Sequence, residues 1–119
     1  MGKFKTAYKQ WHGYLVHFPK LTRHTLGARV DMIFTDCLAL TLQAKYQTRE
    51  QKPVTIEKLS TAFDLLKFFI QLLWEIGALE EKQFLLLSQH LIEIGKMIGG
   101  WQQSMLKKNS PDTMQGRQS

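Results

Sequence analysis

Apolar residues recur along this chain at intervals of three and four, so that it reads as helices with one buried face and almost nothing else. Three prolines, Pro19, Pro53 and Pro111, stand where that period breaks. The pattern predicts a first helix from about Phe4 to Val16, with Tyr8, Trp11, Leu15 and Phe18 on its inner side. A second is predicted from about Leu21 to Tyr46, burying Leu26, Val30, Ile33, Phe34, Cys37, Leu38 and Leu42, and at about 1.5 Å per residue it is roughly 40 Å long. The polar stretch from Gln47 to Lys52 is a loop, and Pro53 suits the first turn of a third helix, where its missing N–H has no partner in any case. Gly77 closes that helix. Glu80 and Glu81 fit the first turn of a fourth and Lys107 and Lys108 its last, both in the sense the helix dipole favours. The expected architecture is all-α: an up-down-up-down four-helix bundle over residues 1–108, followed by a polar tail, 109–119, without apolar periodicity and predicted disordered.

Two features do not fit a simple monomeric bundle. Gly95, Gly99 and Gly100 fall inside the fourth helix, and each interior glycine costs a helix about 1 kcal/mol relative to alanine. A glycine pair is also an ordinary helix stop. Here Trp101, seven residues after Ile94 and four before Met105, carries the apolar stripe through the glycines, so the helix is expected to continue. Close approach of another backbone at Gly95, Gly99, Gly100 and Trp101 is the expected reason. The second feature is an excess of apolar surface. Ten of the fourteen residues from Phe63 to Ile76 are apolar, and the polar ones, Asp64, Lys67, Gln71 and Glu75, form one narrow stripe. The fourth helix repeats this pattern, with Phe84, Leu85, Leu86, Leu87, Leu91, Ile92, Ile94, Met97 and Ile98 surrounding a stripe of Gln89, Glu93, Lys96, Gln103 and Lys107. Soluble monomers rarely expose that much contiguous apolar surface, so a homo-oligomer is expected. The competing arrangement is a compact monomer with this helix pair at its centre.

At 119 residues the chain is one domain with one core. Its net charge of +6 is unevenly placed. From Met1 to Val30 six Lys or Arg occur without an acid; from Asp31 to Gly95 six face nine acids; beyond lie Lys96, Lys107, Lys108 and Arg117 against Asp112. Lys20, Arg23, Arg29, Lys107 and Lys108 are expected to form one basic patch at an end of the bundle, a polyanion site once multiplied by symmetry. A merely solvated face is the alternative. Cys37 is the single cysteine, which excludes an internal disulfide and a thiolate zinc site and fits a reducing cytoplasm. No secretory leader or membrane-spanning run is expected, and the MGKFKT start is too short a signal to imply a lipid anchor. His12, His17, His24 and His90 lack metal-ligand spacing, Cys37 has no neighbouring base, and no phosphate-binding glycine loop or opposed carboxylate pair occurs. Neither a cofactor nor catalysis is expected.

Two segments, FPKLTRHTLGARV (residues 18–30) and EIGKMIGGW (93–101), resemble the accessory variability determinant (Avd) family of diversity-generating retroelements, and the resemblance covers roughly Tyr8 to Ser104. It implies a homopentameric barrel of four-helix bundles with a positively charged surface. It further implies binding to the element's reverse transcriptase and to RNA or DNA, and a role in mutagenic retrohoming. Lys20, Arg23 and Arg29 fall on basic positions of the first segment. Lys96 takes the place of a more usual Arg in the second, keeping charge but not bidentate phosphate geometry. With Lys107 and Lys108 as weaker additions, these are the nucleic-acid candidates. The architecture is also similar to that of the rRNA intervening-sequence proteins, so an oligomeric scaffold with an incidental basic surface is the alternative function.

Overall fold

The computed structural model describes residues 2–109, and their side chains as far as residue 106. Five helices and no strand occur among them: α1 (Gly2–Leu15), α2 (Lys20–His24), α3 (Leu26–Lys45), α4 (Lys52–Glu75) and α5 (Glu81–Asn109). Helix α3 packs on α4, α4 on α5, and α1 lies against both α3 and α5, so the four long helices form a bundle. The expected helix runs on through the glycines: Gly95, Gly99 and Gly100 are all interior to α5. The tail expected from 109 lies outside the described residues apart from Asn109 itself, the last residue of α5.

Local chemistry sets the helix ends. Gly77 has φ +83°, which frees two reverse bonds: Gly77 N–H donates to the Trp74 carbonyl (3.0 Å) and Ala78 N–H to that of Leu73 (2.9 Å). This is the glycine-terminated stop predicted for the third helix. Across the turn, the Trp74 and Phe84 rings stack at 4.7 Å and 5°. Pro53 lies in the first turn of α4, as its sequence position implied.

The second predicted helix is broken. Thr25 has φ −113° and ψ −97°, dividing α2 from α3, and its hydroxyl donates to the Leu21 carbonyl at 2.7 Å. The reason lies two residues on, where a Cβ on buried Gly27 would stand 2.8 Å from Leu15 Cδ1 and 3.0 Å from the Thr22 carbonyl oxygen. The start of α3 is pressed so closely onto the end of α1 and onto α2 that a straight helix does not fit.

The core is aromatic where α1 meets α3 and α4. Phe4 meets Phe63 edge-on at 6.0 Å, Trp11 meets Phe18 at 5.6 Å, and Tyr8 meets Phe34 at 5.5 Å. Half-buried Asp31 accepts hydrogen bonds from Tyr8 Oη (2.8 Å) and from Nε1 of fully buried Trp11 (3.1 Å), which ties α1 to α3. Cys37 is fully buried as expected, whereas Leu42 is 45% exposed. Thr41 holds the inner position instead, its hydroxyl satisfied by the Cys37 carbonyl at 2.8 Å.

Helix α1 has 14 residues, against 20, 24 and 29 in α3, α4 and α5. Its first turn reaches only midway along its neighbours, to Phe63 and to Glu93, which pairs with Lys3 at 3.5 Å. From that level down to Gly27 the bundle is four helices thick. Above it, among the described residues, only α3, α4 and α5 remain. The second apolar face of the third and fourth predicted helices is not buried among the described residues: Leu65 and Phe68 of α4, Ile76 just beyond its end, and Leu85, Leu86 and Ile92 of α5 are exposed.

Candidate nucleic-acid interface

The basic residues fall into separate groups, and the single end patch expected from the sequence does not form. The up-down topology separates them: the start of α3 lies beside the end of α1, while the last turns of α5 lie beside the end of α3. One full α3 length, about 30 Å, intervenes. Lys20, the first residue of α2, and Arg29, in the first turn of α3, are exposed at the lower end. Arg23 is half-buried there, with Nη1 donating to the Val16 carbonyl at 3.1 Å, so it also secures the junction after α1. Lys96 is exposed partway along α5. Lys107 and Lys108 fall on the last turn of α5, at the upper end, and their side chains lie outside the described residues.

None of Lys20, Arg23, Arg29 or Lys96 forms an ion pair with a described residue, the pairs present being Lys3–Glu93 and Lys67–Asp64. Arg29 and Asp36, seven residues apart on α3, do not pair with each other. Lys20, Arg29 and Lys96 are exposed as well as unpaired, whereas Arg23 is half-buried and held by the Val16 carbonyl.

The glycines behave differently from one another. A Cβ on Gly95 would meet Phe63 at 3.4 Å, an ordinary contact, and nothing stands within 4 Å of one on Gly99 or Gly100. No close backbone approach among the described residues accounts for them. Trp101 is half-buried against the upper end of the core.

At that upper end, where α1 is missing, lies a cavity of about 320 Å³. Thr41 and Lys45 of α3, Lys52 and Ile56 of α4, and Trp101 and Met105 of α5 line it. Periodicity did not single out Lys45 and Lys52. They flank the polar loop between α3 and α4, and no local signal joins them to a tryptophan some fifty residues onward in the chain.

Groups with catalytic potential are held inert. Burial, then the charge of Asp36, pushes the Cys37 thiol up to about 12, so it stays protonated at neutral pH. Burial, with the hydrogen bond to Asp31 and its charge, pushes the Tyr8 phenol up to about 12 as well. Among the described residues no three His, Cys, Asp or Glu side chains gather as a metal shell requires, and no helix is long and apolar enough to cross a membrane.

Fold and surface together define a protein whose described residues form a helical bundle with exposed basic groups. The chain belongs to the bAvd-like family, whose model matches residues 2–105, nearly the whole of the described structure. That family is an accessory, non-catalytic one associated with retroelements. No curated protein and no solved structure matches the chain.

Proposed function

We propose that this protein is the accessory subunit of a diversity-generating retroelement, binding the reverse transcriptase and RNA or DNA through its basic surface to support mutagenic retrohoming. The family match over residues 2–105 carries this reading. The exposed, unpaired Lys20, Arg29 and Lys96 supply the charge it needs. The protein acts as a homo-oligomer, with five copies as the proposed number. In support, Gly99 and Gly100 have open space beside them among the described residues, and Ile92 of the same helix and Leu65 and Phe68 of α4 are exposed. A second subunit gives both features a physical purpose.

The test is affinity capture from the native host, with Lys20→Glu/Arg29→Glu as control. These positions are chosen over Arg23, whose guanidinium also holds the Val16 carbonyl. Co-purification of a reverse transcriptase and its template RNA, lost in the variant while the oligomer persists, is the expected outcome. Recovery of the protein alone, as an intact oligomer, would replace this reading with that of a scaffold.

A further inference from the structure

The cavity at the upper end of the bundle combines apolar, aromatic and cationic side chains. Its lining includes the apolar Ile56 and Trp101, and its one buried hydroxyl, Thr41, already donates to a backbone carbonyl. Its wall carries two cations, Lys45 and Lys52, from different helices, and neither pairs with a described carboxylate. A second aromatic ring stands nearby: Tyr46 is 77% exposed, with Lys45 Nζ 5.8 Å from its centroid. At about 320 Å³ the space lies at the small end of ligand pockets and suits one ring system rather than a large molecule. An apolar slot with an aromatic lining and two cations that no described carboxylate pairs fits a flat heteroaromatic ring attached to an anion. A purely apolar ligand gives neither ammonium group a counter-charge that the described residues lack, and a simple anion leaves the tryptophan unused.

We propose that this cavity receives an unstacked base of a single-stranded nucleic acid against Trp101, with the adjoining phosphates held by Lys45 and Lys52. The assignment rests on the nucleic-acid function proposed above and gives it a specific site. Aromatic platforms beside cationic tracks are how single strands are bound without sequence readout, because every base has a π-face. A duplex keeps its bases stacked and cannot offer one to a slot.

Fluorescence anisotropy with a labelled single-stranded RNA, and with the same sequence as a duplex, tests this on the full chain. Wild type is expected to prefer the single strand. Trp101→Leu should weaken single-strand binding about tenfold and Trp101→Phe much less. Lys45→Gln/Lys52→Gln, which leaves the core untouched, should lower the slope of log affinity against log salt by roughly 1.4. If all three variants bind the single strand as wild type does while Lys20→Glu/Arg29→Glu does not, the cavity assignment is overturned and the basic-surface function stands. If Trp101→Leu changes the assembly mass but not the affinity, the cavity is a subunit contact and the assignment is overturned. No binding by wild type overturns both.

Discussion

The lower and upper halves of the bundle are made from the same three long helices, yet they differ in nearly every physical respect. In the lower half α1 fills the fourth corner: Phe4 and Trp11 are fully buried, and both polar groups that α1 presents to Asp31 are satisfied. In the upper half the fourth corner is vacant among the described residues, and a cavity opens between Thr41, Ile56 and Trp101. Amphipathic periodicity is continuous through both halves of α3, α4 and α5, so it does not create the difference. The extent of one short helix does. The half that is covered becomes a buried aromatic core, and the half that is not keeps a half-buried tryptophan and two lysines around a cavity.

Mutations at the two tryptophans test that contrast most severely. Trp11→Ala removes a fully buried indole and should cost about 3–5 kcal/mol by chemical denaturation. Trp101→Leu, in the half-open upper end, should cost about 1 kcal/mol, within the range of conservative apolar exchange. Equal losses would show that the upper half is as tightly packed as the lower. Next in size is the tie between α1 and α3. Asp31→Ala leaves the buried Trp11 N–H without an acceptor, for about 2–3 kcal/mol. Hydrogen exchange should then report faster opening of α1 than of α4 or α5.

Two glycine substitutions sharpen the comparison with opposite signs. Gly27→Ala places a methyl 3.0 Å from a backbone carbonyl and should destabilise the fold by about 1–3 kcal/mol. Gly100→Ala meets open space in a helix interior and should stabilise the single chain by up to about 1 kcal/mol. Light scattering on the second variant adds a separate reading, because a loss of assembly mass would locate a neighbouring backbone at that glycine. The smallest effect is alkaline. The Tyr8 phenol titrates near 12 in the folded chain against 10 when free, so its contribution is complete below pH 10 and lost as pH rises through 10 toward 12. Tyr8→Phe should flatten the dependence of stability on pH in that window, and an unchanged slope would show that other groups govern it.

Much of this was legible along the chain because it depends on neighbours in sequence. The stop at Gly77 follows from the left-handed conformation that only glycine adopts cheaply, and the start near Pro53 from an N–H that a first turn does not need. The passage of α5 through its glycines followed from the stripe carried on by Trp101 and Met105. The break at Thr25 was not legible, because the atoms that enforce it around Gly27 come from Leu15 and Phe18 as well as from Thr22. Leu42 and Thr41 exchanged their expected places for a related reason: a small shift of helix phase decides which of two adjacent residues faces inward, and a threonine is tolerated there once its hydroxyl bonds back to Cys37.

The candidate site divides along the same line. Which residues are cationic, and that Lys20, Arg29 and Lys96 stand on polar positions, is a property of the sequence. Whether they share a patch is a property of topology, and the antiparallel course of α3 and α5 puts the start of one and the end of the other a helix length apart. By itself the sequence determined the helical class, most of the helix ends, the inert cysteine and the family, because each rests on local periodicity or on a contiguous motif. Tertiary structure alone decided that α1 covers half the bundle, that Asp31 holds it there, and that Lys45, Lys52 and Trp101 meet around one cavity. Those outcomes depend on side chains distant in sequence arriving at the same level of the bundle, and only packing fixes that level.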